Sequence, residues 1–140
     1  MFMQPNWLAV VAAAVSAFVI GGLWYGPLFK NAWCREAGID LHAADAGDGA
    51  GPKQRHPAKV FGTAFVAALV GAAAFAWWVG PAPELEYAVR RGVLAGLGIA
   101  ATSFGINYAF AGRSLKLWLI DGGYHTLQFA VYGMILGIWH

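Results

Sequence analysis

Charge is what this sequence has least of. Of its 140 residues, 11% are Asp, Glu, Lys or Arg, where a soluble domain carries about 25%. A chain this short with so little charge lacks the polar surface to cover a water-soluble core. The net charge of +2, from nine Lys and Arg against seven Asp and Glu, is too mild for a nucleic-acid binder. The single cysteine, Cys34, excludes an intrachain disulfide and a cysteine-built zinc site. The stretch Met1-Phe2-Met3-Gln4-Pro5 has no Lys or Arg. The apolar run behind it exceeds a signal-peptide core, so a retained span is expected.

What is present is apolar surface, at 59% of residues, and glycine, at 19 of 140. That glycine share is about twice the usual ~7%, without a collagen-like period. Crossing the hydrocarbon takes about 20 predominantly apolar residues, and four segments qualify: 6–25, 57–79, 89–111 and 115–139. The expected fold is a single all-α domain over 1–140, a polytopic membrane protein with four transmembrane helices in a bundle. Among Asp, Glu, Lys and Arg, only Asp121 lies well inside a span; Lys59 sits at an end, where its stem reaches the interface.

The connections carry their own signals. Pro81 and Pro83 separate the second span from the third, and Glu84 and Glu86 suit a first helical turn. Glu86 and Arg90 stand four apart, in reach of each other. Gly112-Arg113-Ser114 reads as a tight turn with Ser114 as N-cap. Pro27 to Gly38 sets Leu28, Phe29, Ala32 and Trp33 on one side, the pattern of a short interfacial helix. Residues 39–56 read as a flexible cytoplasmic linker, in which His42, Asp45, Asp48 and His56 lack metal-ligand spacing. The first and third loops hold Lys30, Arg35, Lys53, Arg55, Lys59, Arg113 and Lys116, against Arg90 and Arg91 on the other side. Seven against two predicts cytoplasmic loops and both termini outside.

The last span reads LKLWLIDGGYHTLQFAVYGMILGIW. At 100° per residue, Asp121, His125, Gln128 and Tyr132 fall within about 60° of one another. Gly122, Thr126, Gly133 and Gly137 form a small-residue stripe, with Gly133 to Gly137 a GxxxG. On the third span Gly92, Gly96, Ser103 and Asn107 share a face, and Gly98, Thr102 and Gly105 another. A short turn makes these spans antiparallel neighbours. Folding about Ser114 sets Asn107 level with Asp121, Ser103 with His125, and Gly96 with Tyr132. Trp24, Tyr25 and Thr63 arrive at similar depth from the first two spans. A charge near the bilayer centre costs at least ~2.5–3.5 kcal/mol, so Asp121 is expected to be neutral, paired or wet, and to face the bundle interior. The candidate binding residues are Asp121, His125, Asn107, Ser103, Gln128, Tyr132, Trp24 and Tyr25, with no catalytic set, metal or cofactor expected.

Gly22-Leu23-Trp24-Tyr25-Gly26-Pro27-Leu28-Phe29 and Ile120-Asp121-Gly122-Gly123-Tyr124-His125 resemble the small four-helix bacterial integral membrane proteins grouped as domain of unknown function seventeen sixty-one. The resemblance implies membership of a membrane group of the bacterial inner membrane and supplies no activity or catalytic residues.

Two functions compete at this stage. One is a homo-oligomeric permeation or transport module in which Asp121 and His125 handle a proton, cation or small solute. The other is a structural or accessory membrane protein, with the buried polar residues as interhelical glue and a basic first loop that binds a partner or lipid. An intramembrane enzyme using Ser103, His125 and Asp121 is disfavoured, because no strained nucleophile turn or oxyanion-hole motif is visible. The bilayer itself is the one partner both readings need.

Overall fold

The computed structural model describes residues 3–38 and 57–140; the expected linker and its His42, Asp45, Asp48 and His56 lie outside the described residues. The chain is all-α. Helix α1 is Trp7–Leu28, α2 Lys30–Ala37, α3 Pro57–Val79, α4 Leu85–Phe110 and α5 Leu115–Ile138. Among the described residues, α1, α3 and α4 are long and apolar enough to cross a membrane. Helix α5 is 24 residues long, with Asp121, His125 and Gln128 in its apolar run.

Helix ends follow from local chemistry. Asn6 caps α1, its side chain accepting from Leu8 N–H at 3.1 Å and Ala9 N–H at 3.3 Å. Ser114 caps α5 as its position suggested, accepting from Leu117 N–H at 3.1 Å. Gly112, at φ +67, closes α4 in the left-handed region that a side chain resists. Helix α1 outlasts its expected end by three residues because Pro27 cannot donate. The ladder widens into a π turn over Trp24–Leu28, with Phe29 N–H reaching five residues back to Trp24 O at 2.9 Å. The surface helix is then α2, starting at Lys30. Helix α4 begins at Leu85, four residues before the expected start.

Helix α5 is the centre of the fold and touches all four other helices. Helices α1 and α3 run antiparallel through a small-residue seam of Ala9, Ala13 and Ala17 with Ala68, Ala72 and Ala76. Rings pair along it from Trp7–Trp77 to Phe18–Phe61. Helix α4 lies against α5 even more closely. A Cβ on Gly133 would sit 2.2 Å from Ala88 O, one on Gly92 2.1 Å from Phe129 O, and one on Gly96 2.5 Å from Thr126 Cα. The Gly133–Gly137 pair therefore works as a close-packing motif inside one chain.

The register between α4 and α5 differs from the expected one. Gly96 lies opposite His125 and Thr126 rather than Tyr132, and Ala101 lies opposite Gly122. The offset is already present beside the turn, where Gly105 lies against Trp118, and an eight-residue π stretch, Leu94–Ala101, then changes which face of α4 meets α5. The contact face runs Ala88, Gly92, Gly96 in steps of four, then steps five to Ala101 and four to Gly105. An extra residue in one turn moves everything after it round the helix. Ser103 and Asn107, assigned to that face by uniform α spacing, are exposed.

Candidate functional site

Asp121, six residues into α5, is 7% exposed. Tyr25 Oη, from the π turn of α1, donates to its Oδ1 at 2.5 Å. Tyr108 Oη, from the last turns of α4, donates to its Oδ2. Each oxygen is thus taken by a phenol from a different helix, the arrangement that suits an ionised carboxylate, which only accepts. No Lys or Arg pairs with it among the described residues, where the ion pair present is the exposed Glu86–Arg90 at 2.5 Å.

The surroundings are aromatic and fully hydrogen-bonded. Tyr25 packs against Trp33 of α2 and Tyr124 of α5, with ring centroids 5.4 and 5.3 Å away. Tyr124 Oη donates to Ala17 O at 2.9 Å, Trp24 Nε1 to Ile120 O at 2.8 Å and Trp118 Nε1 to Ala101 O at 2.7 Å. Gly123 and Gly105 make room for the indoles: a Cβ on either would lie 2.9 Å from Trp24 or Trp118. Above the carboxylate, Ser114 Oγ donates to Glu36 Oε2 at 2.6 Å, tying α2 to the α4–α5 turn.

A second chain begins one turn further along α5. His125 Nδ1 lies 2.6 Å from Gln128 Oε1, Gln128 Nε2 donates to Tyr132 Oη at 2.7 Å, and Tyr132 Oη donates to Ala68 O of α3 at 3.2 Å. Among the described residues no buried side-chain nitrogen or oxygen lacks a partner.

The eight candidate residues therefore separate into four groups. Tyr25 meets Asp121. His125, Gln128 and Tyr132 form their own chain, and His125 does not bond to Asp121. Trp24 serves a backbone carbonyl. Ser103 and Asn107 stand outside: Ser103 Oγ donates to Ile99 O at 2.7 Å, and Thr102 Oγ1 to Gly98 O at 2.8 Å, serving carbonyls at the exit of the π stretch. Thr63 is exposed on α3. Tyr108 and Tyr124 were missed. The signal for Tyr108 is its seven-residue spacing from Ala101, which keeps the two on one face, visible only once the π step is known.

A family model described as "Protein of unknown function (DUF1761)" matches residues 8–137. No curated protein and no solved structure matches the chain.

Proposed function

The chain belongs to the DUF1761 family of unknown function, and from that membership we propose a four-span integral membrane protein in which Asp121 is a structural clasp and the working surface is a basic face at one end. Support for the fourth span comes from α5 itself. It is about 36 Å long at 1.5 Å per residue and packed among the three apolar helices, so it shares their depth. The clasp reading rests on one observation: both carboxylate oxygens are filled by phenol donors in a site without an orphaned buried polar atom. A permeation site needs free ligating capacity along a path; at Asp121 that capacity is already used by Tyr25 and Tyr108.

The basic face is Lys30 and Arg35 on α2, Lys59 at the start of α3, and Arg113 and Lys116 around the α4–α5 turn, all exposed. They share one end, since α1, α3 and α5 pair as Trp24–Ile120 and Phe18–Phe61. Cations beside a bilayer attract anionic headgroups at about 1 kcal/mol each, which fits an accessory protein seated on the inner leaflet, its termini on the other side.

Reconstituted liposomes test the clasp. Wild type and Asp121→Asn are expected to show equal proton and cation leak, with the variant less heat-stable in detergent. A flux that requires Asp121 sinks this reading and restores transport. For the basic face, a variant with Lys30, Arg35, Arg113 and Lys116 changed to Gln is expected to lose most co-purifying phosphatidylglycerol; unchanged retention removes that role.

A further inference from the structure

The chain from His125 to Ala68 has a direction, and the direction fixes a tautomer. A backbone carbonyl only accepts, so Tyr132 must donate to Ala68 O. The Tyr132 oxygen then accepts from Gln128, which must present its Nε2 amide N–H. That turns Oε1 toward His125, so Nδ1 of His125 must carry a hydrogen. The neutral ring is therefore the Nδ1–H form, with Nε2 left as a bare lone pair. Among the described residues Nε2 has no donor, and no buried side-chain nitrogen lacks a partner, so this atom is not sealed inside the protein. Phe104 stacks on the ring at 4.9 Å and 16°, and Tyr124 meets it edge-on at 4.8 Å. The imidazole is packed against two rings, with one nitrogen anchored and the other without a hydrogen-bond partner among the described residues.

We propose that Nε2 of His125 is a proton-binding site of this protein, independent of the clasp at Asp121, and that protons arrive and leave at this nitrogen alone. The donor is a hydronium ion or a protic ligand O–H. Its O–H bond breaks, an Nε2–H bond forms, water or the ligand's oxyanion leaves, and Nδ1–H stays on Gln128. The resulting imidazolium lies over the Phe104 face, a favourable cation–π arrangement. The Asp121 carboxylate, one turn back on the same helix, is the nearby negative charge. Of the other titratable groups, Tyr124 on α5 meets the ring directly, Tyr132 on α5 is linked to it through Gln128 and on to the Ala68 carbonyl of α3, and Tyr108 on α4 and Tyr25 on α1 are bonded to Asp121.

Nitrogen NMR of the full chain, labelled at its histidines and held in phospholipid nanodiscs, tests this, with His125→Asn assigning the resonance. The Nδ1–H tautomer is expected to exceed the other about fivefold or more, as one lost hydrogen bond implies. On acidification from about pH 8 to pH 4, Nε2 is expected to gain the proton while Nδ1–H persists. Gln128→Leu is expected to yield both tautomers. A neutral ring protonated at Nε2, or a ring that gains no proton over that range, overturns the proposal, as does a Gln128→Leu protein that keeps a single Nδ1–H form. The wild-type spectrum decides even where the variant fails to fold. Stability and flux of Asp121→Asn report on the clasp separately.

Discussion

A carboxylate with a phenol on each oxygen ties together three segments that are far apart in the chain, at residues 25, 108 and 121. Removing the carboxylate strands two hydroxyls at once. Hydrogen bonds to charged groups contribute ~1.5–3 kcal/mol, and interhelical ones in membranes average ~0.6. Asp121→Ala is expected to cost about 2–3 kcal/mol, and Tyr25→Phe or Tyr108→Phe about 1 kcal/mol each. Because the phenols share one acceptor group, the double Tyr variant should depart from the sum of the singles, measured by unfolding in mixed detergent. Additive tyrosine losses with an Asp121→Ala protein as stable as wild type would remove the clasp. The position of Asp121 inside the bundle was legible because a lone acid in an apolar run has nowhere else to go. Its partners were less so. Tyr25 was found from its depth at the end of α1, while uniform α spacing and a fold about Ser114 set Asn107 and Ser103, not Tyr108, opposite Asp121 and His125. A phenol reaches further, and it reached from a turn whose phase the sequence did not reveal.

At the scale of elements, some ends were readable, while those of α1 at Leu28 and α4 at Leu85 were not, and neither were phases. The caps at Asn6 and Ser114 and the extent of α3, residues 57–79, follow from residue types at single positions. The face of α4 depends on cumulative rotation, so one five-residue step at Leu94–Ala101 misplaces all that follows. This yields a test by deletion. Removing Leu97, which is exposed, shortens the step from Gly96 to Ala101 to four and lets a plain α-helix present the same residues to α5. The deleted protein is expected to fold with stability within about 1 kcal/mol of wild type. Removing exposed Ile106, beyond the stretch, should instead turn Tyr108 away from Asp121 and mimic Tyr108→Phe. Glycines on the seam make a second test. Gly133→Ala drives a methyl into Ala88 O and is expected to lower the melting temperature by several degrees, whereas Gly62→Ala on α3, with nothing within 4 Å, should leave it unchanged or raise it through helix propensity. Equal effects at both positions would show that α4 and α5 are not packed backbone to backbone.

For the molecule as a whole, the two ends differ in chemistry. One gathers Lys30, Arg35, Lys59, Arg113 and Lys116; the other holds Trp7, Trp77 and Trp78, with the Arg91 guanidinium 5.3 Å from the Trp78 ring and 5.0 Å from the Tyr87 ring. Stacking on rings at headgroup level suits an arginine that must cross the membrane with its helix hairpin. The short Gly112-Arg113-Ser114 turn cannot be threaded to the far side without carrying Lys116 and the α2 contact through Glu36 with it. The basic end is therefore expected in the cytoplasm. Native Cys34 is a poor reporter, being 6% exposed, so cysteines belong at exposed Arg113 and Glu84 in a Cys34→Ser background. In intact cells a membrane-impermeant maleimide is expected to label residue 84 and to spare residue 113 until the membrane is opened. The reverse pattern would invert the protein and place the basic face outside, where the inner leaflet's anionic lipids are out of reach. Labelling of both positions from one side would mean that α4 does not span at all.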